Sequence, residues 1–233
     1  MEAFAKRQNR TIVLMLQGWW ADHRTTLLGL AVVLMAIAAL VWLTYEFWRL
    51  LWPSPPVWRS SPSGAVDLRL RHVEVQRWFA GLPVYSVLPS ALYPPASYVI
   101  LGPLLGWLAL TPARWLWAVT TLVMLAWLVS LTIRASGAQT RLERVFVAFI
   151  PLSMYATGAT IGNGQVIVHL LPLLVAGLLM LDDTQCAWRE DVIAAVLILL
   201  ALVKPSISAP FFWIVLFVPG RLRPALLVVL GYV

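Results

Sequence analysis

The chain has almost no cysteine and little charge. One cysteine, Cys186, among 233 residues excludes an internal disulfide and a cysteine-ligated zinc site, and leaves the redox compartment open. Charged residues make up 12%, half the roughly 25% of an average soluble domain, while hydrophobic residues reach 61% against about 45–50%. So little charge cannot coat a water-soluble surface, and the composition indicates a membrane protein. Acidic residues are the scarcer sign, with 10 Asp and Glu against 17 Lys and Arg for a net charge of +7. The arginines are dispersed along the boundaries of apolar runs rather than gathered on one face, which argues against nucleic-acid binding and fits loop cations that set membrane orientation. Tryptophan is what the chain has in abundance, with 13 residues, and this side chain concentrates at membrane–water boundaries.

Charge placement predicts a topology. Lys6, Arg7 and Arg10 lead into residues 11–20, which contain Gln17 and lack a small-residue cleavage pattern, so no cleavable leader is expected. The short run 12–16 with Trp19 and Trp20 reads as interfacial, making residues 1–25 a cytoplasmic or interfacial segment and 26–233 a single transmembrane domain. Residues 26–43, extended to Trp48, reach the about 20 residues a span needs. Further apolar runs are 93–110, 115–133, 145–160, 166–181, 192–203, 207–218 and 225–233. The positive-inside rule places Arg134, Arg141 and Arg144 in the cytoplasm, with Arg221 and Arg223, beside the N-terminal cations and Arg24. If every run crossed, the triple-Arg loop would fall on the wrong side, so one run must not cross. Residues 93–110 are the best choice, because Pro94, Pro95 and Pro103 interrupt them and Gly102, Gly106 and Trp107 suit a helix lying in the interface. The expectation is an all-α polytopic membrane protein of about 6–7 transmembrane helices, with surface-lying helices in a large first external loop, 53–114. Asn163–Gln165 and Lys204-Pro205 then face outward and 182–191 inward. The last run stops after nine residues at Val233, so the chain reads as the front part of a longer design.

Residues able to carry chemistry cluster in that loop: Asp67, Arg69, Arg71, His72, Glu74 and Arg77. Val66, Leu68 and Leu70 alternate like a strand, whereas Leu70, Val73 and Arg77 share a helical face. Gly81 and Pro83 favour a helix that stops near Ala80. The plain alternative is a solvated loop pairing with lipid phosphates. Asn163 and Gln165 flank Gly164 in a polar turn whose amides both donate and accept, as sugar hydroxyls require, or form an ordinary Asn-Gly turn. Lys204, between two apolar runs, either snorkels or presents its ammonium to an anion. His169, four residues after Gln165, could line the same pocket or be a packed core histidine. Asp67, His72 and Glu74 match no fixed metal-ligand spacing.

Asp67 after the first span, Gly81-Leu82-Pro83-Val84-Tyr85, Tyr93-Pro94-Pro95, Gly164-Gln165 before a helix and Lys204-Pro205 after another, in that order, resemble the bacterial mannosyltransferase-like membrane proteins of the GT-C class, glycosyltransferase family 87. The resemblance extends over residues 25–233. It implies a GT-C-like fold in the bacterial inner membrane and a polyprenyl-phosphate-linked sugar donor. It also implies a lipid or glycan acceptor and an acidic residue of the first external loop as catalytic base; no cofactor or metal is expected from the residues themselves. On this chain that base is Asp67. Inverting hexosyl transfer needs one carboxylate, since the phosphate leaving group is already a stable anion, unlike the two that glycosidases use. Arg69, Arg71 and Lys204 would hold the phosphate, with Tyr93, Asn163, Gln165 and His169 around the sugar. Family members continue through several more spans, so the alternative is a catalytically inactive relative that serves as a structural subunit beside a partner membrane protein. A transporter built around Lys204 and His169 should show paired hydropathy halves, which the sequence lacks.

Overall fold

The computed structural model describes residues 2–52, 64–181, 187–220 and 222–232, with side chains in the first helix described at Met15 and from Gly18 onward. The first part of the expected external loop, 53–63, lies outside the described residues. So do the side chains of Lys6, Arg7, Arg10 and Gln17, residues 182–186 with Cys186, Arg221 and Val233.

The described residues form ten helices and no strand: α1 (Glu2–Leu51), α2 (Val66–Phe79), α3 (Pro95–Leu105), α4 (Leu110–Ala135), α5 (Arg141–Ser153), α6 (Tyr155–Gly162), α7 (Ile167–Leu181), α8 (Trp188–Ala201), α9 (Pro205–Phe217) and α10 (Leu222–Tyr232). α1 runs without a break through residue 25, so the interfacial start and the first span are one 50-residue helix. The ambiguity over residues 66–80 resolves as helix. α2 ends at Phe79, and Ala80 and Leu82 donate back to the Gln76 and Arg77 carbonyls at 3.0 and 2.9 Å.

Local signals set the other boundaries. α5 starts on a capping box: the Glu143 N–H donates to Thr140 Oγ1 (3.2 Å) and the Glu143 carboxylate accepts the Thr140 N–H (3.0 Å). Pro151 removes a donor from the α5 ladder and Met154 is extended, so α5 and α6 meet at a bend of 48°. Pro95 and Pro205 occupy the first turns of α3 and α9, where a missing N–H costs nothing.

Packing aligns α1 parallel to α5–α6. Arg24 pairs with Glu143, Trp42 Nε1 donates to the Tyr155 carbonyl (3.2 Å), and Arg49 reaches Asn163. Gly158 and Gly162, four apart on α6, lie against Trp42 and Glu46, four apart on α1; a Cβ on either glycine would collide with those side chains. This is the small-xxx-small pattern that lets membrane helices approach closely.

The bundle therefore has two polar ends. One holds Arg24, Arg134, the 136–140 turn, Glu143, and the Asp191–Arg223 pair. The other holds the end of α1, all of α2 and α3, the Asn163–Gln165 turn and Lys204. The chain travels between these ends in α1, α4, α5–α6, α7, α8, α9 and α10. α3 does not: Ser97 near its start donates to the Val203 carbonyl (2.7 Å), and just past its end the Leu108 carbonyl meets His72 of α2. Eleven residues span about 16 Å, roughly half a hydrocarbon core. Among the described residues, two helices are long and apolar enough to cross a membrane, Gly18–Leu51 and Leu110–Ala135, with a third span if the bent α5–α6 pair is one. α7 and α9 are apolar but have 15 and 13 residues, fewer than a full span needs.

Candidate active site

α2 brings Asp67, Arg71 and Glu74 onto one face, because residues three and four apart on a helix are neighbours. Arg71 Nη1 pairs with Glu74 Oε2 at 2.7 Å, Arg71 Nε lies 3.8 Å from Asp67 Oδ1, and Nη2 donates to the Ser90 carbonyl at 3.1 Å. The Arg71 guanidinium sits over the Tyr93 ring, 4.3 Å from its centroid, and Lys204 Nζ lies 5.6 Å from the same centroid. Tyr93 thus joins α2 to the start of α9.

Among the buried polar atoms here that have no hydrogen-bond partner, Asp67 Oδ2 and the Tyr93 hydroxyl lie outside the Arg71–Glu74 ion pair. Buried groups of this kind are normally paired, so a carboxylate oxygen and a phenol left open on one patch can receive a polar ligand. Burial first, then the Asp67 charge, pushes the Tyr93 hydroxyl well above its ordinary value, so it stays protonated and is a hydrogen-bond donor. Burial likewise raises the Glu74 carboxyl, against the lowering effect of the Arg71 charge.

The start of α2 is pinned by the polar turn. Gly162 O accepts the Ala65 N–H (2.7 Å), and Asn163 O accepts those of Asp67 (2.9 Å) and Leu68 (3.4 Å). Gly164, at φ +67°, lies so close that a Cβ there would sit 2.5 Å from Leu68 Cβ. A glycine is required on both counts.

The structure thus brings Asp67, Tyr93, Lys204 and the Asn163–Gln165 turn to one region and separates others from it. Arg71 stays beside Asp67 and Tyr93 but is buried, 4% exposed, ion-paired with Glu74 and donating to the Ser90 carbonyl; the others lie apart. Arg69, two residues from Asp67 and so on the far side of α2, lies near Arg114 of α4, close enough for the like charges to repel. His169 is buried in the α4–α7 seam, its ring 4.4 Å from that of Trp117 and Nε2 2.9 Å from Thr120 Oγ1. His72 Nε2 donates to the Leu108 carbonyl (2.8 Å), as does Gln76 Nε2 (2.9 Å), so His72 does not converge with Asp67 and Glu74. Among the described residues no three His, Cys, Asp or Glu groups gather as a metal site.

Sequence reading passed over Glu46 and Arg49, which pair at 2.7 Å at the end of α1, Arg49 Nη2 also donating to Asn163 Oδ1 (3.3 Å). Their signal was present: an acid in the last turns of an apolar run with an arginine three residues on. Arg114 and Ser97 carried no such signal.

A family model, glycosyltransferase family 87, matches residues 91–233. The chain belongs to glycosyltransferase family 87. The match is narrower than the 25–233 over which the motifs resemble the family. It includes Tyr93, Asn163, Gln165, His169 and Lys204, while Asp67, Arg69 and Arg71 precede it. No curated protein and no solved structure matches the chain. Family 87 membership makes the protein a membrane glycosyltransferase by class, with a sugar donor and an acceptor as substrates.

Proposed function

We propose that this family 87 protein transfers a hexose, mannose by the resemblance, from a polyprenyl-phosphate donor to a lipid or glycan hydroxyl. The reaction takes place at the membrane face bearing Asp67, and the protein resides in the bacterial inner membrane. The observation that carries the reading is the pair of open buried atoms, Asp67 Oδ2 and the Tyr93 hydroxyl, beside Lys204. Asp67 takes the acceptor hydroxyl proton as that oxygen attacks the anomeric carbon and the bond to the phosphate oxygen breaks. The phosphate leaves with the electron pair of that bond, and Lys204 and the Tyr93 hydroxyl are placed to bind it. Gln165 offers its amide to sugar hydroxyls, while the Asn163 side-chain oxygen is taken by Arg49. Arg71 holds Glu74 and the Tyr93 ring, and its contribution to the phosphate is as a nearby charge. The positive-inside rule assigns the end with Arg24, Arg134, Arg141 and Arg144 to the cytoplasm, with the N-terminus, and the Asp67 end to the outer face.

Transfer of labelled sugar from polyprenyl phosphate by the purified protein, with any partner subunit restored, tests the reading. Asp67→Asn keeps the shape and loses the base, so the rate falls at least about a hundredfold. Lys204→Ala removes a charge-assisted contact made to the phosphate, so donor half-saturation and turnover worsen together, by about tenfold or more in kcat/KM. Full activity in Asp67→Asn removes the mechanism. Inactivity of the wild type under these conditions favours the subunit alternative.

A further inference from the structure

We propose that Glu46, Arg49 and Asn163 form a positioning relay through which the end of α1 sets the aim of the Asp67 carboxylate; this rests on Asp67 being the general base. α2 lacks a side-chain N-cap. Ala65 stands at the cap position with φ 58° and makes no capping bond. The first N–H groups are accepted instead by main-chain carbonyls of another element, Gly162 O and Asn163 O. A serine or aspartate cap would satisfy the helix end and leave it free to slide on its neighbours. Carbonyls borrowed from the end of α6 tie Asp67 to the turn that carries Gln165.

That turn is held in its own right by α1. Asn163 is the joint: its main-chain oxygen binds the Asp67 N–H at 2.9 Å, and its side-chain oxygen accepts from Arg49 Nη2 at 3.3 Å. Arg49 Nη1 is held by Glu46 Oε2 at 2.7 Å, and Glu46, 1% exposed, lies against Gly162. A buried carboxylate with one cationic partner fixes that partner strongly, because separation would leave its charge uncompensated. Arg49 is therefore anchored on one side and directs Asn163 with the other. Glu46 and Arg49 belong to the long first helix, so the carboxylate that removes the proton is registered against a rigid element. Catalytic groups need such support, since a misplacement of about 1 Å can cost about a hundredfold in rate.

The test uses the full chain in lipid nanodiscs with Asn163→Ala, Arg49→Gln and the double variant. Transfer kinetics and hydrogen exchange of the backbone amides at Ala65–Leu68 are measured alongside the unfolding midpoint. Each single variant should lower kcat by about tenfold to a hundredfold with donor KM within about twofold. The double variant should be no slower than the worse single, because the three groups act as one unit. Exchange at Ala65–Leu68 should rise in both folded single variants. Unchanged exchange there, or losses in kcat that multiply in the double variant, overturns the relay. If Arg49→Gln does not fold, Asn163→Ala carries the test, since it keeps the Glu46–Arg49 pair and the main-chain carbonyl. Failure of the base reading is seen separately, as wild-type transfer in Asp67→Asn, and leaves the exchange result to judge whether the relay holds the start of α2.

Discussion

The two ends of the bundle carry similar residue types and use them in opposite ways. At the Arg134 end the cations stay in water, Arg24 half exposed and Arg223 two-thirds exposed, while their acidic partners Glu143 and Asp191 are largely covered in the first turns of α5 and α8. At the Asp67 end, Glu46, Arg71 and Glu74 are all at most 4% exposed and are paired within one helix at spacings of three. Charge left in water orients a membrane protein and stabilises it little. Charge taken out of water has to be held by partners, and the holding gives it a fixed direction. The first arrangement suits a loop that stays on one side of a bilayer, and the second suits chemistry.

The difference can be broken outright by labelling. With Cys186 replaced by serine, Leu92→Cys and Gln139→Cys each place one exposed thiol at an opposite end. A membrane-impermeant maleimide added to intact cells should modify position 92 and spare position 139. Equal labelling of both would end the two-sided reading.

Stability should separate the ends next. Arg71→Ala strands the Glu74 carboxylate in a buried site and should cost about 3–5 kcal/mol, read as a large drop in unfolding midpoint. Arg24→Ala breaks a pair open to solvent, and its midpoint should match wild type within error. Equal losses would show that burial does not distinguish the two sets of charges.

The sequence made the outline of this arrangement legible and hid its wiring. Helical spacing and stop signals placed α2, and the Asn-Gly pair placed the polar turn, because these depend on neighbours a few residues apart. The same local reading could not tell that the interfacial start is continuous with α1, and it counted α7 and α9 as crossings although each is shorter than a full span. Nothing near Arg71 in sequence says that Ser90 and Tyr93 fold back over it. Arg49 and Asn163 are 114 positions apart, and only the Gly158–Gly162 approach to α1 brings them together. His169 was correctly seen as an ionisable group in an apolar helix, but its partner Thr120 lies on α4.

The smallest expected effect concerns pH and sharpens the comparison at one residue. Burial raises the Glu74 carboxyl above its ordinary value of 4.5, outweighing the pull of Arg71. A carboxyl with a raised folded-state value holds its proton more tightly folded than unfolded. Its contribution to stability is therefore complete below pH 4.5 and is lost as pH climbs through the raised value. Glu74→Gln mimics the protonated form at every pH and has no such dependence. The unfolding midpoint of wild type minus that of Glu74→Gln should therefore fall as pH rises from 4 and level off once the folded carboxyl is ionised. A difference that grows with pH would mean that Arg71 dominates burial, and that this end of the bundle holds its charges as favourable ion pairs rather than against the cost of desolvation.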